Sequence, residues 1–157
     1  CLNHMYSIYR EQTLPISLKE AWDFFSSPSN LSKITPSNLG FQMLGNAPKK
    51  MYPGLFIHYR VSPLLGIPMK WTTEITQVVD QKYFVDEQRV GPYAIWHHEH
   101  FFEESKDGVL MKDHIHYKLP LGFLGRLAHP IIVKPRLNEI FNFRFEVAEK
   151  LFLTNKK

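Results

Sequence analysis

The sequence predicts an α+β domain in which one antiparallel sheet wraps a long C-terminal helix. Three observations predict it. Residues 41–119 form a succession of alternating strand-like runs divided by short turns rich in Pro and Gly. A capped amphipathic segment follows the first strand-like run, and the residues after 119 return to helical periodicity. At 157 residues and 44% hydrophobic content, the chain is the size of a single domain (1–157) able to enclose a core or a cavity.

The elements follow in order. "YSIYREQTL" (6–14) alternates as a strand, and Pro15 ends it. Ser17 is placed as an N-cap with Glu20 at the capping-box spacing, and Ala21, Trp22, Phe24 and Phe25 supply the apolar face of a helix. Pro28 breaks it, and a second short helix runs through Ile34. Six strands are then expected, beginning with "FQMLG", "GLFIHYRVS" and "IPMKWTTEITQVV" and continuing through "KYFVDEQRV", "AIWHHEHFFEE" and "GVLMKDHIHYKL". Their connections are short enough for hairpins, so the expected topology is an antiparallel meander. The final segment carries Pro130 and Pro135 and is expected to be broken, with its strongest helix from Pro135 to Phe152. There Leu137, Ile140, Phe141, Ala148, Leu151 and Phe152 share a stripe, and Arg144 falls in its middle.

Composition narrows the function. The single cysteine, Cys1, excludes a disulfide framework and a multi-cysteine zinc site. Residues 1–4 read as an extension or remnant ahead of a natural start at Met5. The net charge of +4 is dispersed apart from Lys49–Lys50 and Lys156–Lys157, and no basic stripe interleaved with aromatics argues for nucleic acid. No run reaches the roughly 20 apolar residues of a membrane span, and no signal-peptide pattern opens the chain; a cytoplasmic protein is expected.

The order of elements, with "FVDEQRVGPYAIWHHEHFF", "DHIHYKLPLGFLG" and "FNFRFEVAEKLF", resembles the START-like or SRPBCC superfamily, and within it the bacterial SRPBCC ligand-binding branch. The resemblance implies the helix-grip fold of the pollen-allergen type: a curved seven-stranded antiparallel sheet around a C-terminal helix, with two short helices after the first strand. It also implies a cavity between sheet and helix for an apolar or amphipathic small molecule. Lipid carriers, quinone-binding proteins and polyketide cyclases share the architecture, and fold does not choose among them.

Alternation locates the chemistry. On "AIWHHEHFFEE", Trp96, His98, His100 and Phe102 share one face while His97, Glu99, Phe101 and Glu103 take the other, so the three histidines cannot converge. If Val90 stands opposite Ala94, then Gln88 faces Trp96, Asp86 faces His98 and Phe84 faces His100. Beyond the "SKDG" turn, Met111, Asp113, Ile115 and Tyr117 point inward, with His100 opposite Asp113 in one register and His98 there after a two-residue slip. Arg144, from the helix, is placed to reach the same acids. The expected inward polar cluster is Asp86, Gln88, His98, His100, Asp113, Tyr117 and Arg144, within walls that include Tyr59, Trp71, Trp96 and Phe141; Ile57, Met69, Thr73 and Ile75 are expected to line the same space. His58, His97, His114 and His116 are expected on the surface.

The preferred reading is binding of a lipid, quinone, polyketide or similar molecule whose polar end meets this cluster. The alternative is a cyclase-, dehydratase- or hydrolase-type enzyme in which His98 or His100, oriented by Asp86 or Asp113, moves protons, with Arg144 or Tyr117 stabilising negative charge. His98, His100 and an aspartate have metal-donor atoms, but the set can satisfy itself through the acids and Arg144, so no metal or other cofactor is expected. Segments 62–69 and 120–133 are candidate gates. The second reads as a packed connector in preference to a membrane-touching element.

Overall fold

The computed structural model describes residues 4–153; residues 1–3 of the expected extension and the Lys156–Lys157 pair lie outside the described residues. Seven strands form one antiparallel sheet: β1 (Tyr6–Leu14), β2 (Gln42–Leu44), β3 (Leu55–Val61), β4 (Met69–Val79), β5 (Tyr83–Val90), β6 (Ile95–Ser105) and β7 (Gly108–Lys118). β2 to β7 run as the expected meander, and β1 returns to pair with β7, giving the order β1-β7-β6-β5-β4-β3-β2. The strands bury alternate side chains: on β6, Trp96, His98, His100 and Phe102 are buried and their neighbours are not.

Helix α1 (Leu18–Phe25) starts where expected, with Ser17 Oγ accepting the Glu20 amide at 3.1 Å. The segment from Pro28 to Ile34 is a 3₁₀ helix, and a second 3₁₀ turn spans Ser37–Leu39. The tight β6–β7 turn lies against the end of β1. A Cβ on Gly108, whose φ is +130°, would stand 2.1 Å from the Leu14 carbonyl oxygen, so only glycine permits this approach.

The C-terminal segment departs from expectation. Its prolines do not interrupt it: α2 (Gly122–Ala128), one wide π turn (His129–Val133) and α3 (Lys134–Leu153) follow without a loop. Pro130 sits in the π turn and Pro135 just past it; the Lys134 amide reaches back five residues to the His129 carbonyl, and this widened turn carries the helix across its prolines. Leu137, Phe141 and Ala148 are buried as read, but Leu151 is exposed and lies off the stripe. β1 clasps α3 through Arg10, which donates to Asn138 and Asn142 Oδ1 at 3.0 and 3.2 Å, and through Gln12 Nε2, which donates to the Phe145 carbonyl at 2.9 Å.

Among the described residues, two large apolar clusters, with a smaller one of Leu55, Ile57 and Ile75, fill the space between sheet and helices. One gathers Trp71, Tyr93, Trp96, Tyr117, Leu137 and Phe141; the other gathers Trp22, Phe25, Phe84, Phe102 and Ala148. His98 and His100 lie on β6 between Trp96 of the first cluster and Phe102 of the second, so the polar groups occupy the seam of the core.

Candidate functional site

The register of β5, β6 and β7 builds the site. Asp86 stands opposite His98, Phe84 opposite His100, and His100 opposite Asp113, the first of the two registers read from the sequence. The shortest bonds, however, run diagonally. His100 Nε2 donates to Asp86 Oδ2 at 2.6 Å and His98 Nε2 donates to Asp113 Oδ1 at 2.8 Å. The directly opposite contacts are longer, 3.1 Å for His100 Nδ1 to Asp113 and 3.7 Å for His98 Nδ1 to Asp86. Four side chains thus close a ring in which each acid lies between both histidines.

Aromatic packing holds the ring upright. The imidazoles stack at 3.6 Å between centroids with 25° between planes, and Phe84 stacks on the outer face of His100 at 4.0 Å. Phe141 and Trp96 meet His98 edge-on. No buried side-chain nitrogen or oxygen among the described residues lacks a partner.

The two histidines have opposite protonation behaviour. Both nitrogens of His100 face a carboxylate; burial opposes its charge, but the hydrogen bonds to Asp113 and Asp86 outweigh it and raise its pKa above the usual 6.5. His98 is pushed down to about 4 by burial and by the neighbouring His100 cation, against the pull of Asp113. His98 is therefore neutral near pH 7, and its bond to Asp113 places the proton on Nε2 and leaves Nδ1 with a lone pair. Burial would raise both carboxylates, yet the histidines and Arg144 hold Asp86 below its usual range and Asp113 well below it.

A cavity of about 170 Å³ lies between the sheet, the 3₁₀ segment and α3. Tyr59, Trp71, Trp96, Phe141, Asp86, His98, His100 and Arg144 line it, as do Ile57, Thr73 and Ile75. Trp71 Nε1 donates to Thr73 Oγ1 at 3.0 Å, which fixes the indole against Tyr59, stacked at 6.0 Å. A second cavity of about 170 Å³ lies between β1, β6, β7 and α3. His100, Phe141 and Arg144 border both, whereas Asp86 faces only the first and Asp113 only the second. The ring is a partition between two chambers.

Several expected site residues are placed elsewhere. Gln88 turns back on its own hairpin, where its side chain bonds the Tyr93 carbonyl and amide at 2.7 and 3.0 Å and stands clear of the cavity. Tyr117 is packed away from the ring, its hydroxyl 2.6 Å from His129 Nε2, with Tyr6 stacked on that imidazole at 3.7 Å. Its phenol, pushed up to about 12 by burial, is a structural partner of His129. Asp113 belongs to the ring but opens to the second chamber, and Met69 lies outside the lining. Arg144 lines both chambers but makes no direct ion pair with Asp86 or Asp113 among the described residues; it acts on them through space.

The sequence reading missed Tyr93, which it left in the "GPY" turn and which is buried against Trp71 and Trp96. It also missed Phe24, Phe25 and Phe41 as walls of the cavity. The aromatic density of "AWDFF" was the available signal.

One donor atom each of Asp86, His98 and His100 lies within 4.8 Å of the others, close enough to be donors to one ion. Both nitrogens of His100, however, are engaged by carboxylates, so a bound ion would have to displace its proton and its bond to Asp86.

No protein-family model matches the sequence, and no curated protein matches it. The structure does have relatives. A point mutant of Thalictrum flavum norcoclaurine synthase in complex with a transition-state analogue aligns with a TM-score of 0.69 at 15% identity, covering 100% of this chain and 99% of that one. Protein CV1439 from Chromobacterium violaceum gives 0.70 at 10% identity over 94% and 97% of the two chains. Major latex-like protein 151 from Panax ginseng gives 0.68 at 12% identity over 95% and 98%. The chain shares with these structures the helix-grip fold, a curved antiparallel sheet around a long C-terminal helix. In this chain the sheet and the C-terminal helix enclose a chamber.

Proposed function

We propose that the protein binds a small, largely aromatic molecule with a neutral polar end in the chamber beside Trp71 and Trp96. The observation that carries this reading is an apolar, aromatic cavity with its only charged groups gathered at one wall, the usual construction of a small-molecule site. Its size limits the occupant: a dry cavity of about 150 Å³ takes up benzene, so about 170 Å³ suits a body of one or two rings better than a long acyl chain. Charge limits the polar end. The two carboxylates are matched by the His100 imidazolium and Arg144, so the cluster has no formal net charge with which to attract an ion. It offers a carboxylate acceptor and a guanidinium donor together, which suits a hydroxyl, phenol or carbonyl.

The test is a titration of tryptophan fluorescence with 2-naphthol, naphthalene and 2-naphthoate, beside native mass spectrometry of freshly purified protein. Tightest binding of the phenol supports the reading; no saturable binding of any of the three and no copurifying molecule would overturn it.

A second reading is favoured by the opposed histidines. Two titratable groups whose environments drive their pKa values apart can serve as base and acid, and His98 Nδ1 is the unprotonated atom at the chamber wall. In this reading His98 takes a proton from a bound phenol or acidic C–H while His100 and Arg144 stabilise the anion. One structural neighbour is a synthase, which supports catalysis as within the range of the fold. His98→Gln should then abolish turnover of an identified substrate and leave its binding intact. Equal loss of binding and turnover would return the cluster to a recognition role.

A further inference from the structure

One end of the sheet carries a surface that the ligand chamber does not explain. The β3–β4 loop, the β5–β6 turn and the β7–α2 junction all lie at this end, because β3, β5 and β7 finish there and β4 and β6 begin there. Leu65 and Ile67 are exposed in the first; Leu121, Phe123, Leu124 and Leu127 are exposed at the third. Leu64 of the first loop packs on the same core cluster as Leu119 and Val133, which flank α2.

The exposure is built in. Gly125 is the buried residue of α2, and a Cβ there would stand 2.2 Å from the Pro120 carbonyl oxygen. The helix therefore rests on its glycine, and the helical repeat turns Phe123, Leu124 and Leu127 to the opposite side, into solvent. Segment 120–133, expected as a packed connector, is packed only at a few points such as Gly125 and Val133. Leu65 and Leu121 have φ of 53° and 64°, a left-handed conformation unusual for leucine, and they are 69% and 76% exposed.

The charge around these residues has one sign. No Asp or Glu occurs in residues 24–73 or 90–98, nor from residue 114 to 138. Arg60, Lys70, Arg126 and Lys134 lie in these stretches and are exposed, and the Arg126 guanidinium covers the Phe123 ring at 5.9 Å. The turns at the opposite end of the sheet carry Asp80 and Asp107.

We propose that this end is a docking surface for an anionic lipid bilayer, with the leucines and Phe123 entering the interface and the cations meeting lipid headgroups. An apolar tip ringed by cations and free of acids complements a negatively charged membrane, whereas an acid-free surface would repel a second copy of itself. Pro63 of the docking loop also lines the chamber, so docking sets the ligand site beside the bilayer.

Flotation of the full chain with phosphatidylcholine vesicles, with and without about a third phosphatidylserine, tests the proposal. Binding should be about tenfold stronger to the anionic vesicles and weaken as salt rises. Leu124→Glu/Leu127→Glu should lose it, with thermal melting and sedimentation velocity unchanged, while Phe56→Glu on exposed β3 should keep it. Absence of binding to the anionic vesicles, equal binding by the double variant, or a dimer of the wild-type chain that the double variant dissolves would each overturn it.

Discussion

His98 and His100, two residues apart on β6, stack face to face at 3.6 Å while their shortest hydrogen bonds go to different acids, Asp113 and Asp86. One imidazole is charged and the other neutral because only His100 has a close carboxylate at both nitrogens. The consequences can be measured.

The first is in the pH dependence of stability. His98 falls from 6.5 to about 4 on folding, so its unfavourable contribution is absent above pH 6.5 and grows as pH drops toward 4, to about 3 kcal/mol. His100 has the opposite sign: its raised pKa stabilises below 6.5, and that gain is lost as pH rises through its folded value. Asp86 and Asp113, depressed on folding, stabilise above about pH 4 and lose that contribution as acid titrates them. Urea unfolding across pH 4–8 should show maximum stability near neutrality, and His98→Gln should flatten the slope between pH 4 and 6.5. An unchanged slope would show that His98 is charged in the folded protein.

Removal of His100 leaves two poorly solvated carboxylates without their bridging cation. His100→Ala is expected to cost about 3 kcal/mol at pH 7, in the range for breaking one partner of a buried ion pair. His98→Phe, which keeps the stack and removes a neutral ring, should cost about 1 kcal/mol. Urea midpoints rank the two, and equal losses would mean that stacking, not charge, dominates.

Arg144→Met tests the through-space role of the guanidinium. Carbon-13 NMR titration of the Asp side chains should show the pKa values of Asp86 and Asp113 moving up toward the ordinary carboxylate range, since Arg144 is one cause of their depression. The fold should persist because the side chain makes no direct ion pair with them.

Gly108→Ala should cost about 2 kcal/mol or more, through the left-handed φ and the clash with the Leu14 carbonyl. Thermal melting reads the loss; a change under about 0.5 kcal/mol would mean that the β6–β7 turn can lift off β1 freely.

The alternation on β6 alone was enough to divide the three histidines, because a strand can present His98 and His100 to one side only by sending His97 to the other. The short connections limited the register to a few choices: Asp86 opposite His98 if Val90 met Ala94, and either His100 or His98 opposite Asp113, of which the fold takes the first. The aromatic walls at Trp71 and Trp96 were legible for the same reason. The prolines misled because a π turn, closed by the Lys134 amide on the His129 carbonyl, carries the helix past Pro130 and Pro135, and local pattern does not distinguish such a turn from a break.

Strand alternation and turn spacing are enough to assign the faces and the residue types that meet at the seam of the core. Tertiary packing chooses between the two β6–β7 registers, runs the short bonds diagonally and commits the Gln88 and Tyr117 hydrogen bonds to Tyr93 and His129. It also decided that Arg144 stands off from both acids and that the ring separates two chambers. Strand alternation is a property of the backbone and can be read locally. The choice of partner by a side chain depends on twist, rotamer and the aromatic rings stacked around it, which come from elements far apart in the chain.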